Sequence, residues 1–348
     1  MTHLIAMFEK NLDFRSDTVT WPSPEMRRAA AEAMVGDMGY GEDPSVNELE
    51  RLAAEKLGKE AALFVTSGHQ GNAVAILAQT NKGDEIILEA RSHIYSMQKG
   101  HWAVIGSLVP RLIEGVDGFL PSEQIRANIH GSVRDGIRTS LLCNENTNLA
   151  SGGTAIPIKQ MKEMYDTGKE LGLQVHTDGA RIFNASTALG VDVKEIAKHT
   201  DTVQFCLSKG LAAPVGSMVV GSQEVIDHAK SYRRMLGGSM RQAGIIAAPG
   251  IVALTKMVDR LQEDHDNAAY LGDGLEKLGF KLSFQVKTNM VFVDLTSVGW
   301  GKDEWVDACA KSGFKTGVRN SERVRLVTHY GMEREDIQRL LGDLSSIL

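Results

Sequence analysis

Two residue types at one spacing carry the first chemical signal in this chain. An aspartate follows a short apolar run, Gln174 to Thr177, in Asp178-Gly179-Ala180-Arg181, and a lysine follows another, Thr202 to Leu207, in Ser208-Lys209-Gly210. Taken singly, the carboxylate reads as a helix cap or turn former and the lysine as a surface residue with a buried stem. Their separation of 31 residues is about the length of one βαβ unit, which brings both side chains out at the same edge of a sheet. A third run, Ala61 to Thr66, opens into Ser67-Gly68-His69 ahead of a helix-like stretch, Ala73 to Gln79. Main-chain N–H groups at such a helix start, together with the positive end of its dipole, suit a phosphate. An amine for a Schiff base, a carboxylate that keeps a pyridine nitrogen protonated and a phosphate cradle are the needs of pyridoxal phosphate.

The elements that position these residues must be strands alternating with helices. Asp43-Pro44 places a capping carboxylate before a proline at a first helical position, and Val46, Leu49, Leu52, Ala53 and Leu57 recur at helical spacing until Gly58. Further apolar runs at 85–88, 140–143 and 217–220, separated by polar helical stretches such as 158–171, predict an α/β domain with a mostly parallel sheet covered on both faces. In such sheets ligands collect at the carboxyl ends of the strands. Beyond about residue 250 the pattern changes to helices at 251–278, 305–311 and 333–347 with strands at 289–295 and 324–327. This predicts a large domain over 1–250, with an N-terminal arm, and a smaller α+β domain over 251–348.

Composition removes several function classes. The 348 residues carry 38 Lys and Arg against 44 Asp and Glu, a net charge of −6 that offers no footprint for nucleic acid or an anionic membrane. The best apolar stretch, 244–254, contains Pro249 and Gly250 and falls short of the ~20 residues a bilayer requires. Charge appears in MTHLIAMFEKNLDF before any apolar stretch of signal-peptide length, and the three cysteines, Cys143, Cys206 and Cys309, form no CxxC pair. Both features point to a reducing cytoplasm. The 35 glycines against 8 prolines indicate tight turns and not a flexible linker. The 67–72 turn lacks the GxGxxG pattern of a dinucleotide site. Asp264-His265 on a predicted helix has no spaced partner, so no catalytic metal is assigned.

Longer motifs carry a resemblance. RSDTVT (15–20), YGEDP (40–44), SHI (92–94), ENT (145–147), SGG (151–153), DGARIFNA (178–185), LSKGLAAPVGS (207–217), RRMLGGSMRQAG (233–244) and VRLVTH (324–329) stand in the order found in the low-specificity L-threonine aldolases. From about residue 11 to the C-terminus the chain resembles this family. The resemblance implies the aspartate-aminotransferase fold (fold type I) with a mostly parallel seven-stranded-type sheet. It also implies a homotetramer with active sites at subunit interfaces, and cleavage of L-threonine or L-allo-threonine to glycine and acetaldehyde.

Residue by residue, the resemblance implies Lys209 as the Schiff-base lysine, Asp178 as the partner of the pyridine nitrogen and His93 stacked on the ring. Ser67, Gly68 and His69 would hold the phosphate, helped by Arg234 and Arg241, partly from a neighbouring subunit. Ser16, Arg181 and Arg325 would bind the substrate carboxylate, and Tyr40 would reach in across the interface. The base would be His93 or a water it holds. Three positions depart from the family: Asp135 stands where a histidine near the substrate hydroxyl is usual, with His130 close by, Asn148 replaces the histidine of ENTHN, and His69 replaces the threonine of SGT. These departures leave open a different β-hydroxy-α-amino acid as substrate, or β-elimination on the same cofactor.

Overall fold

The computed structural model describes residues 10–129, 137–318 and 320–348. Asp135 and His130 lie outside these residues. Among the described residues the main sheet has seven strands: β1 (Ala61–Val65), β2 (Glu85–Glu89), β3 (Val109–Ile113), β4 (Thr139–Glu145), β5 (Gln174–Asp178), β6 (Thr202–Cys206) and β7 (Ser217–Gly221). Their order is β1-β7-β6-β5-β4-β2-β3, with only β7 antiparallel to its neighbours. The central strands are buried along their whole length, which is why they read as unbroken apolar runs without alternation. A second, antiparallel sheet joins β8 (Lys281–Leu282), β9 (Met290–Asp294), β10 (Gly317–Val318) and β11 (Arg323–Val327) in the order β10-β11-β9-β8.

The capping signals act as their chemistry requires. Asp43 accepts from the N–H of Val46 at the start of the helix Pro44–Leu57, and Gly58 closes it in the left-handed conformation. Asp43 also accepts from the N–H of Gly244, tying two helix starts together.

Two segments differ from the sequence expectation. The helical pattern over 251–278 is not one helix: a helix over Gly244–Val252 with Pro249 inside it passes into a π-helical turn, Ala253–Met257, before a new helix, Leu261–Lys277. Proline withdraws one main-chain donor from the ladder, and the wider turn follows within a few residues. The second is β3, whose sequence VPRLI carries Pro110 and Arg111 and shows no strand pattern. It is tolerated because β3 is the edge strand of the sheet.

Among the described residues, Leu49, Phe64, Leu142, Phe205, Leu254 and Leu261 belong to the main apolar cluster of the large sheet, with smaller clusters against its strands around Leu63, Val74 and Val219 and around Ile86, Leu88 and Leu141. Phe14, Leu271, Val291, Trp305, Leu326 and Ile337 form the core of the second sheet. Phe14 stacks on Phe314, its N–H donates to Lys315 O, and its carbonyl accepts from Val327 N. The N-terminal arm is thereby fastened to the second sheet, and the residues that follow it are delivered to the carboxyl ends of the main strands.

Candidate active site

The carboxyl ends of β4, β5 and β6 finish side by side, with Glu145 in register with Asp178 and Asp178 with Gln204. There a cleft of about 360 Å³ opens, and into it face Ser16, Ser67, Gly68, His69, His93, Asp178, Arg181, Lys209 and Arg325. One chain thus brings nine of the sequence-selected residues together. Tyr40, Arg234 and Arg241 line a different cleft of about 770 Å³, which also holds Arg233 and Lys230.

Asp178 is 2% exposed. Its Oδ2 accepts from Asn72 Nδ2 at 2.8 Å and its Oδ1 from Ala180 N at 3.1 Å. Ser67 caps the helix Gly68–Leu77 through Gln70 N, leaving the N–H groups of Gly68 and His69 without partners inside the helix. A Cβ on Gly68 would lie 2.8 Å from Cys206 Sγ and 3.2 Å from Gln204 Nε2, so only glycine lets the helix start approach the end of β6 this closely. The ring of His69 meets His93 edge-on at 5.3 Å and His101 at 5.9 Å.

Arg181 and Asp17 form a buried bidentate pair, Nε to Oδ2 at 2.7 Å and Nη2 to Oδ1 at 2.6 Å. Burial opposes ionisation of Asp17, but Arg181, with Lys209 and Arg325, outweighs it and holds the carboxyl well below the usual carboxylate range. Burial likewise acts to lower Arg181, and Asp17 reverses it. Arg325 Nη2 donates to the carbonyl of Arg15 at 2.9 Å, one residue from Ser16. Ser16 itself caps the turn Asp17–Val19 through Thr18 N.

His93 opens the short helix His93–Met97. Its main-chain N–H donates to Glu145 Oε2 at 2.6 Å, and burial lowers its pKa, with Asp178 opposing and Lys209, His69 and Arg181 adding to the effect. Glu145 is pushed up to about 7 by burial and by the neighbouring Asp178.

The sequence reading did not single out Asp17, Asn72, Gln98 or Glu145. Asp17 and Glu145 lie inside quoted motifs, RSDTVT and ENT, so their adjacency to Ser16 and to a strand end was the available signal. Asn148 is fully buried and accepts from Ser151 N at 3.0 Å, an Asx cap of its own turn. Asp264 pairs with Arg260 at 2.6 Å and His265 contacts Asn184 at 3.1 Å.

The chemistry of this donor set is specific. A buried carboxylate, an amine from Lys209, two helix-start N–H groups and an imidazole surround a space that fits a flat, phosphorylated pyridine aldehyde. The strand order and the placement of Asp178 and Lys209 define the class: a fold type I enzyme of the pyridoxal-phosphate-dependent group.

The family described as beta-eliminating lyase matches residues 13–297. A low-specificity L-threonine aldolase from Escherichia coli K12 is 43% identical over 332 residues, covering 94% of this chain and 96% of its own. Low-specificity L-threonine aldolase 1 of Arabidopsis thaliana is 39% identical over 346 residues, covering 97% and 96%. The solved threonine aldolase of Leishmania major has a TM-score of 0.82 at 20% identity, covering 96% of this chain and 99% of that one. The chain belongs to the low-specificity L-threonine aldolases, within the beta-eliminating lyase family.

Proposed function

We propose that this chain cleaves L-threonine, L-allo-threonine or a related β-hydroxy-α-amino acid to glycine and an aldehyde, as a pyridoxal-phosphate-dependent lyase. The observation that carries this reading is Asp178 and Lys209 in one cleft with His93 and the Arg181–Asp17 pair. When bound, the cofactor supplies an electron sink for the pair left on Cα as the Cα–Cβ bond breaks.

The chain's own groups divide the remaining work. Lys209 would anchor the cofactor, Asp178 would keep a proton on its ring nitrogen, and His93 would pack against the ring. Ser67, Gly68 and His69 would take the phosphate at the helix start. Arg181, Arg325 and Ser16 grip the substrate carboxylate; with Nε and Nη2 committed to Asp17, Arg181 retains its other edge for that carboxylate. Asp135 is assigned to the substrate hydroxyl on the resemblance alone. The hydroxyl proton is taken up by His93 or by a water that it holds.

We further infer a homotetramer in which Tyr40, Arg234 and Arg241 complete the site of a neighbouring copy. Their place in a separate basic cleft, with Tyr40 and Arg241 exposed, supports it. A reducing cytoplasm as the working compartment is supported by three buried, unpaired thiols. Among the described residues no helix is long and apolar enough to cross a membrane.

Incubation with L-threonine and with L-allo-threonine, followed by quantification of products, tests the reaction. Glycine and an aldehyde in equal amounts are expected. A 2-oxo acid with ammonia would instead establish β-elimination.

A further inference from the structure

His93 is held twice, by two residues that play no other part in the account above. Glu145 takes its main-chain N–H, while Gln98, 4% exposed, places its amide Nε2 2.7 Å from Nδ1 of the ring. Gln98 follows directly on the helix His93–Met97 and lines the same cleft. The two anchors differ in consequence, because one fixes the backbone and the other fixes the imidazole. An amide N–H directed at Nδ1 requires a lone pair there, so the neutral ring must carry its proton on Nε2. The other amide atom, Oε1, is buried and has no partner among the described residues, so no competing bond draws the amide away from the ring.

We propose that Gln98 is a positioning residue that occupies Nδ1 of His93 and fixes the ring as the Nε2–H tautomer. The proposal rests on the reading of this cleft as the active site. Its consequence is that neutral His93 offers the cleft a donor and not a lone pair, so in this form the ring can hold the substrate hydroxyl or a water but does not itself take up the hydroxyl proton. The remaining groups that face the ring are Asp178 at the end of β5, Lys209 after β6, Arg181 and His69, with His101 behind His69 and Glu145 beneath the main chain. Among all of these, Gln98 alone is hydrogen-bonded to the His93 ring.

The test reads the tautomer directly and needs no turnover. Full-length protein containing ring-15N histidine is examined by two-bond 1H–15N correlation above the titration of His93, with His93→Gln to identify the signal. The expected result is an acceptor-type Nδ1 and a protonated Nε2. Gln98→Glu, which offers Nδ1 only an anionic acceptor, should move the proton to Nδ1 and raise the titration midpoint by about one unit or more. Gln98→Leu should give a mixture of tautomers. A wild-type ring protonated on Nδ1, or a Gln98→Glu variant with unchanged tautomer and midpoint, overturns the proposal. Because these spectra do not depend on which substrate is cleaved, failure here is distinct from failure of the assigned reaction, which the product assay reads.

Discussion

Asn72 donates from Nδ2 to Oδ2 of Asp178 at 2.8 Å, and this one bond determines the direction of a longer relay. With its nitrogen committed, Asn72 must accept through Oδ1, so His176 Nε2, 3.0 Å away, carries a proton. His176 Nδ1 is then an acceptor for the Thr202 hydroxyl at 2.8 Å, and Thr202 in turn accepts from Gln79 Nε2 at 2.9 Å. The carboxylate proposed to face the cofactor is thus supported from behind by a neutral chain of donors, of which Asn72, His176 and Thr202 are buried. Replacing Asn72 by Ala deprives Asp178 of its side-chain donor and is expected to weaken pyridoxal phosphate binding about tenfold, a loss of ~1.4 kcal/mol. Titration of cofactor-depleted protein measures it, and an unchanged affinity would separate Asn72 from the function of Asp178.

Buried histidines, His176 of this relay among them, predict a pH dependence of stability. Burial pushes His176 and His265 down to about 4, below the 6.5 of an exposed imidazole. The unfolded chain therefore takes up these protons first, so their contribution is complete above pH 6.5 and is lost as pH falls toward 4. Each adds a slope approaching about 1.4 kcal/mol per pH unit in that window. Glu145 acts oppositely: its raised pKa contributes stability below 4.5 that is lost as pH rises through 7. Urea unfolding between pH 4 and 7 should show His176→Gln losing about one proton's worth of slope, and an identical slope would remove His176 from the account.

Asp17 and Arg181 should behave as a buried pair. Asp17→Ala strands a guanidinium in the interior and is expected to cost about 3–5 kcal/mol, whereas Asp17→Leu combined with Arg181→Leu should cost less. Denaturant unfolding of Asp17→Leu, Arg181→Leu and the double variant decides this; a double-variant loss equal to the sum of the two single losses would mean that the side chains are not coupled.

Gly68→Ala tests the closeness of the turn proposed to bind phosphate. The added methyl would meet Cys206 Sγ at 2.8 Å, and overpacking of this kind costs about 1–3 kcal/mol. Cys206→Ala in the same chain should restore part of both stability and cofactor affinity. No recovery would place the strain elsewhere.

Which of these features the sequence revealed follows from the distance over which each is encoded. Asp43 and Gly58 bound their helix through neighbours within four or five residues, and the ends of β5 and β6 follow from apolar runs that are themselves local. Lys209 and Asp178 were legible because one βαβ unit converts sequence spacing into a shared edge. Asp17 and Arg181 are 164 positions apart, and Asn72 and Asp178 are 106 apart, so no local pattern records either partnership. Gln98 lies only five residues from His93, yet a glutamine in a short helix carries no signal of what its amide will reach. Strand β3 was hidden by Pro110, and the helix break after Met257 by an apolar periodicity that runs across it.

The central claim is that Lys209 is the amine that holds the cofactor, and a mass measurement tests it most directly. The loaded enzyme is reduced with borohydride, digested and searched for a lysine carrying the added cofactor mass. The modification should fall on the peptide containing Lys209, and Lys209→Ala should lose it together with the visible absorbance and all turnover. Labelling of a different lysine, or of none in a visibly loaded enzyme, would contradict the account.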